Sequence, residues 1–340
     1  MYENHNKTPT ISVVMSVYNG EKFLAAAIES ILNQSFSDFE FIVVNDGSTD
    51  GSQKILEAYA NRDSRIRLIC RGNKGLTASL NEGIARAGGE WIARMDADDV
   101  SLPDRFEKQM AWLKKTGADI CGGCIKLMGT WPHRVRRYPS SSEAIRLKLL
   151  FGSAFAHPTV VMRASLVKAN PYNEKALYVE DYELWTRLST LGAKMTNCPD
   201  VVLGYRIHSG QVTAIRQQQQ RENMVKIFQD YAESFLDKAL ANGSGYMLIA
   251  DKTLNVDEKG FNQAAGFLTK LMTQYGDPEG MVSANAFIFF TRCGKFGLKK
   301  LMQATRGFSI GLAQKTILFF LSLMRVEPKS SFYQFLYRVR

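Results

Sequence analysis

Several familiar signposts are missing from this 340-residue chain. It contains no GxGxxG and no GxxxxGK, so it offers neither a dinucleotide fingerprint nor a phosphate-cradling P-loop. Its five cysteines, Cys70, Cys121, Cys124, Cys198 and Cys293, are odd in number and follow no disulfide-framework spacing. The one CxxC, Cys121-Gly122-Gly123-Cys124, has no second CxxC or HxxxH beside it and runs straight into the strand-like Ile125-Lys126-Leu127-Met128. Core thiols at a glycine kink are expected there, not zinc or redox chemistry. No apolar run is long enough to span a bilayer, and the N-terminus carries no apolar leader core. The expected setting is a reducing one, most simply a cytoplasm.

Acid is missing from the tail. The formal net charge is +10, yet residues 281–340 hold ten Lys or Arg against the single acid Glu327, so the rest of the chain is nearly balanced. The same stretch contains Phe287-Ile288-Phe289-Phe290 and Ile317-Leu318-Phe319-Phe320-Leu321-Ser322-Leu323-Met324. Basic residues flanking such runs suit an anionic membrane surface, where each cation adds about 1 kcal/mol. A buried helical subdomain with a solvated basic face fits the pattern equally well. Nucleic acid is not expected as a partner, because no reader motif accompanies the charge.

What is present is a rhythm of buried strand, polar loop and helix. Ile11-Ser12-Val13-Val14-Met15-Ser16-Val17 reads as a strand broken by Tyr18-Asn19-Gly20, and a helix follows over 21–33 with Phe23, Leu24, Ala27, Ile28 and Ile31 on one face. A second strand, Phe39-Glu40-Phe41-Ile42-Val43-Val44, ends on Asn45-Asp46-Gly47-Ser48-Thr49-Asp50, where Asp46 stands at a strand end and Asp50 or Ser48 reads as the next helix cap. The third strand is Ile66-Arg67-Leu68-Ile69-Cys70. Arg71-Gly72-Asn73-Lys74-Gly75 then opens a helix whose basic N-terminus suits an anion. The fourth, Trp91-Ile92-Ala93-Arg94-Met95, stops on Asp96-Ala97-Asp98-Asp99. Four such beats predict an α/β doubly wound sheet with ligands at its carboxyl edge.

Asp96 and Asp98, two apart in extended chain, project to one face, where like charges need a cation or donors between them. A hard divalent ion, Mg²⁺ or Mn²⁺, is the natural cofactor. The plainer reading makes 96–99 the turn and cap before a helix starting near Pro103, but a cap needs one Asp, not three.

Val13-Val14-Met15-Ser16-Val17-Tyr18-Asn19-Gly20, Val44-Asn45-Asp46-Gly47-Ser48-Thr49-Asp50, Asn73-Lys74-Gly75-Leu76 and Asp96-Ala97-Asp98-Asp99, in that order, resemble the serial signatures of the family 2 inverting glycosyltransferases. The resemblance implies a GT-A (Rossmann-like) mixed sheet flanked by helices and a nucleotide-sugar donor, with a UDP-sugar usual. It further implies that Val17, Tyr18, Glu21, Asp46, Lys74, Asp96, Ala97 and Asp98 contact that donor, with Asp98 as the DXD acid on the metal.

The likeness runs over 10–213. Ile145-Arg146-Leu147-Lys148-Leu149-Leu150 reads as a helix, and Phe155 to Arg163 as a strand in which His157, before a proline, is structural. In Tyr178-Val179-Glu180-Asp181-Tyr182-Glu183-Leu184-Trp185, helical spacing puts Glu180 and Asp181 at a helix start, which the dipole alone favours. By resemblance Asp181 is the catalytic base, while Glu180 and Trp185 lie on the acceptor side and Trp185 walls the acceptor pocket. Tyr205-Arg206-Ile207-His208 closes the similarity; His208 would reach the metal or diphosphate, and a lone histidine fits a loop-stabilising role equally.

The expected division is a loose 1–9, a catalytic domain over 10–215 and a helical, basic, membrane-associating region over 216–340, with a helix over 221–240. The expected activity is transfer to a saccharide acceptor, lipid-linked in bacterial surface-polysaccharide synthesis, by an enzyme peripheral to the inner face of the cell membrane. The alternatives are a sugar-phosphate nucleotidyltransferase, against which the absence of a basic glycine loop near the N-terminus counts, and a non-catalytic nucleotide-sugar-binding module.

Overall fold

The computed structural model describes residues 8–129, 134–208, 217–241 and 244–323. The chain forms two compact units, one of residues 1–145 and 153–224, the other of residues 146–152 and 225–340.

The first unit is built on one mixed sheet flanked by helices, as the resemblance implied. Strands β1 (Ile11–Val17), β2 (Phe39–Asp46), β3 (Ile66–Arg71) and β4 (Trp91–Asp96) are parallel, in spatial order β3-β2-β1-β4. Helices α1 (Glu21–Leu32), α2 (Ser52–Ala60) and α3 (Leu76–Arg86) connect them. The order reverses between β1 and β4, so their carboxyl ends diverge into a crevice, the place where open sheets bind ligands. Ser16 stands opposite Asp96 and Val17 opposite Asn45, which sets the ends of three strands on one rim.

Beyond β4 the sheet is mixed. After β5 (Val100–Ser101) and α4 (Arg105–Thr116) come β6 (Ile120–Met128), β7 (Val135–Arg136), α5 (Ser142–Leu149), β8 (Val161–Arg163), α6 (Ala164–Ala169), α7 (Glu180–Thr190) and β9 (Met195–Arg206). The sheet continues β4-β8-β6-β9-β5, with β7 on β6; β8 runs antiparallel to β4 and β6, while β6 and β9 pair in parallel. The strand expected from Phe155 is shorter than its apolar pattern implied: His157–Thr159 form a 3-10 turn, and pairing begins at Val161. The proline after His157 explains this, since it cannot donate to a ladder.

Burial follows the sequence pattern. Leu24, Ala27, Ile28 and Ile31 of α1 are all buried at helical spacing, each large one worth about 1.5–3 kcal/mol. Cys121 and Cys124 lie buried in β6 as core thiols. A Cβ on the intervening Gly122 would sit 2.1 Å from Asn197 Oδ1, so only glycine lets β9 approach. Underneath, buried Gln109 donates to the carbonyls of Gly122 and Thr159 (3.1 and 2.8 Å), and buried Arg105 to that of Arg94 (2.9 Å), pinning α4 against β4 and β6.

The described part of the second unit is helical: α8 (Gln217–Phe235) continues into it, followed by α9 (Lys238–Ala241), α10 (Ser244–Ala250), α11 (Glu258–Tyr275), α12 (Met281–Thr291), α13 (Leu298–Ala304) and α14 (Leu312–Leu323). Asp257 caps α11 by accepting from Gly260 N–H (2.7 Å). Phe287, Phe289 and Phe290 of α12 are buried with Phe261, so the first apolar run of the tail belongs to a core. Among the described residues no helix is long and apolar enough to cross a membrane.

Candidate active site

The rim of the parallel strands is made of two interlocked loops. In the loop after β1, Asn19 takes a left-handed conformation (φ 52°), its N–H donating to Ser48 Oγ (3.0 Å) and its Oδ1 accepting from Thr49 N–H (2.8 Å). Two residues on, Glu21 N–H donates to Asp50 Oδ2 (3.0 Å), while the Glu21 carboxylate accepts from Gly51 N–H (2.9 Å). Asp50 also accepts from Ser52 N–H (3.0 Å) at the start of α2. The sequence points to Asp50 or Ser48 as the cap of α2, but the N-cap is Gly51 and carries no side-chain cap bond; both side chains tie loop to loop instead. Tyr18 is exposed beside buried Val17.

Asp46 ends β2 directly opposite Arg71. Its carboxylate pairs with the Arg71 guanidinium and accepts from Lys74 N–H and Gly75 N–H (both 2.8 Å), and it is only 2% exposed. Arg71 also donates to Glu82 and Ser79 (both 2.8 Å). Held this way, the Asp46 carboxylate fixes the loop that leads into α3. The Lys74 side chain is exposed. Gly47 closes the arrangement with φ +74°; a Cβ there would lie 2.7 Å from Asn73 N, so the two loops meet only because the residue is glycine.

At the end of β4, Asp96, Asp98 and Asp99 each offer an oxygen within 4.8 Å of the others'. The pair does point to one side, and Asp99 completes a triad. None of the three caps α4, which begins at Arg105 behind Asp104. Asp99 is buried; its Oδ1 accepts from Arg206 N–H (2.8 Å), while Oδ2 has no hydrogen-bond partner among the described residues. Burial, then the charges of Asp96 and Asp98, push Asp99 up to about 8. Burial also raises Asp96, opposed by its ion pair with Arg94. An all-oxygen set with an unsatisfied buried carboxylate oxygen fits a hard divalent cation. Ala97 is partly exposed between them.

His208 Nε2 lies 2.9 Å from Asp98 Oδ2. Phe23 supports this side of the site: its ring packs on the His208 ring (centroids 5.2 Å) and under the Arg206 guanidinium (4.4 Å), whose Nε donates to Asp98 O (2.8 Å). Phe23, which the helical pattern reads as a core residue, thus orders the groups around Asp98.

Glu180 and Asp181 open α7, where Asp181 Oδ1 accepts from Tyr182 N–H (2.7 Å). Burial raises Asp181, with Arg94 opposing and Asp96 adding to the rise. Burial and the neighbouring Asp181 push Glu180 up to about 7. The Glu180 and Asp181 carboxyls of α7 thus lie within the electrostatic reach of Asp96 and Arg94 of β4. Arg94 carried only a faint sequence signal, a single cation in an apolar strand. It is buried, and its Nε has no hydrogen-bond partner among the described residues.

Trp185 also needs correcting. It is fully buried, its ring against Phe155 (5.3 Å) and edge-on to His157 (6.0 Å), so it backs the site rather than walling an open pocket. His157 is structural, with Nε2 2.7 Å from Tyr172 Oη, and burial holds it well below the usual histidine range.

Comparison with known proteins converges on one family. The model of "Glycosyl transferase family 2" matches residues 12–167. An "Uncharacterized glycosyltransferase" of Haemophilus influenzae is 31% identical over 249 residues, covering 68% of this chain and 75% of that one. The "O-antigen biosynthesis glycosyltransferase WbnJ" of Escherichia coli is 32% identical over 204 residues, covering 58% and 80%. Among solved structures, S. aureus TarS 1-349 in complex with UDP-GlcNAc shares the fold at a TM-score of 0.58, with 18% identity over 92% of this chain and 90% of that one. With the sheet, the rim of acids and these likenesses together, the chain belongs to glycosyl transferase family 2 and is a glycosyltransferase of the GT-A fold.

Proposed function

We propose that this glycosyltransferase moves a sugar from a UDP-sugar to the hydroxyl of a lipid-linked saccharide, with inversion, in the assembly of a bacterial surface polysaccharide at the inner face of the cell membrane. The observation that carries the chemistry is the Asp96–Asp98–Asp99 triad, with a buried Asp181 that feels the charges of Asp96 and Arg94. A relative named for O-antigen biosynthesis and a fold neighbour holding UDP-GlcNAc support the donor and the setting.

The interlocked loops after β1 and β2, with Val17, Tyr18, Glu21 and the Asp46-stapled loop at Lys74, form the nucleoside end. Asp96 faces the ribose and diphosphate side. Asp98, with Asp96, Asp99 and His208, would hold Mn²⁺ or Mg²⁺, which when bound neutralises charge on a departing nucleoside diphosphate. Asp181 takes the acceptor hydroxyl proton as that oxygen bonds to the anomeric carbon and the bond to the diphosphate breaks. Its burial makes it a stronger proton acceptor than an exposed aspartate. Glu180, beside it, holds the acceptor side. One displacement from the opposite face needs no second carboxyl acid, unlike glycoside hydrolysis.

Incubating the protein with UDP-sugars, Mn²⁺ and lipid-pyrophosphate-linked sugars, and following UDP release, tests the reading. Asp181→Asn should lower turnover by about 10³-fold while calorimetric UDP affinity stays within a few-fold. Wild-type turnover in that variant would remove Asp181 from its role, and UDP release with no glycosylated product would make the acceptor class wrong.

A further inference from the structure

The last described helix, α14, is apolar on both sides, and among the described residues only one side is used. Leu318 and Leu321 are buried in the second unit, whereas Leu312, Phe319 and Phe320 are 83, 41 and 54% exposed. Leu312, Lys315, Thr316, Phe319 and Phe320 fall at i, i+3, i+4, i+7 and i+8, a single stripe down the helix, and Lys315 and Thr316 are exposed with it. Two adjacent aromatic rings and a leucine turned outward on one stripe mark an interaction surface.

Charge selects the occupant. Residues 281–323 contain no Asp or Glu and six Lys or Arg. Two of the six are used internally: Arg292 is buried and donates to the carbonyls of Leu248 and Leu254 (2.8 and 2.9 Å), and Lys300 pairs with Glu258 (2.6 Å). The other four, Lys295, Lys299, Arg306 and Lys315, are exposed. Lys295 and Lys299 stand on two of the three elements against which α14 packs, the Gly294–Phe296 turn and α13, the third being α12. A second copy of this face would set cation against cation with no acid in the segment to separate them. An anionic headgroup layer supplies both the apolar depth and the opposite sign.

We propose that the outer stripe of α14 is a lipid-docking surface, with Leu312, Phe319 and Phe320 entering the acyl boundary and Lys315, Lys299 and Lys295 meeting anionic phosphates. The proposal rests on the reading of a membrane-held acceptor and gives that reading its surface.

Flotation of the full chain with phosphatidylcholine vesicles, with and without phosphatidylglycerol, tests it without any donor present. The wild type should float with the anionic vesicles and release as salt rises. The double change Phe319→Ser, Phe320→Ser should weaken binding at least about tenfold, and Lys315→Glu about tenfold. In the Phe320→Trp variant, the added indole emission should start water-exposed and shift blue on the anionic vesicles. Absence of wild-type flotation, equal flotation of the double variant, or added emission that is already blue without lipid would overturn the proposal. The last result would mean that the chain itself or a second copy covers the stripe. UDP calorimetry on the same samples reports the donor site separately, so failure of the surface and failure of the transferase reading are distinguishable.

Discussion

The two units handle charge in opposite ways. The first gathers Asp96, Asp98 and Asp99 at the end of β4, with buried Arg94 and with Glu180 and Asp181 of α7 within reach of its charges. The second carries a 43-residue stretch, 281–323, without a single acid. In the first, like charges are crowded where solvent is scarce, and four of the five acids are displaced upward, by burial first and then by their acidic neighbours. In the second, like charges stay in solvent, where repulsion is screened and costs little. Crowded charge is chemistry waiting for a counter-ion; dispersed charge is a surface.

The sharpest way to break the first half of this contrast is Asp98→Ala. Removing the carboxylate that His208 touches should weaken Mn²⁺-dependent UDP binding by at least about 100-fold, since loss of a mere outer-shell partner reaches that range. Calorimetry with UDP, with and without Mn²⁺, reads it, and unchanged metal dependence would mean the triad is not the metal site. Next is Arg71→Met, which leaves Asp46 buried without its cation. A loss of about 3 kcal/mol in urea unfolding is expected, with far smaller losses at exposed pairs such as Arg86–Glu82.

A pH series sharpens the comparison further. Glu180 titrates near 7 in the folded protein against an ordinary 4.5, so the folded state holds a proton that the unfolded chain has released. Stability of the metal-free protein should therefore fall as pH rises between 4.5 and about 7, then level off for this group. Glu180→Gln should flatten that slope by about 2 kcal/mol. The smallest effect belongs to the second unit. Phe319→Ser with Phe320→Ser should cost no more than about 1 kcal/mol of stability, because both side chains are already about half exposed.

Much of this was legible in the residues. The strand ends at Val17, Asp46 and Asp96 and the helix start at Glu180 follow from local pattern, and local pattern is what the backbone obeys over ten residues. Pairings between distant segments were not legible. That Asp46 staples a loop was hidden because its partners, Arg71 and the amides of Lys74 and Gly75, come from beyond another strand's end. Trp185 looked like a pocket wall because helical spacing says which residues share a face, not how deep the face is buried. Phe23 read as core for the same reason, although its ring carries Arg206 and His208. Arg94 sits in an apolar strand, where the pattern registers only an interruption. The 3-10 turn at His157–Thr159 overrode an apolar run that, read alone, continues a strand.

The reciprocal tethering of the loops after β1 and β2 has an evolutionary corollary. Asn19 is matched to Ser48 and Thr49, and Glu21 to Asp50 and Gly51, so neither loop keeps its shape without the other. If these loops hold the nucleoside as proposed, retargeting the enzyme calls for both to be exchanged as a cassette, and natural drift in one should leave its echo in the other.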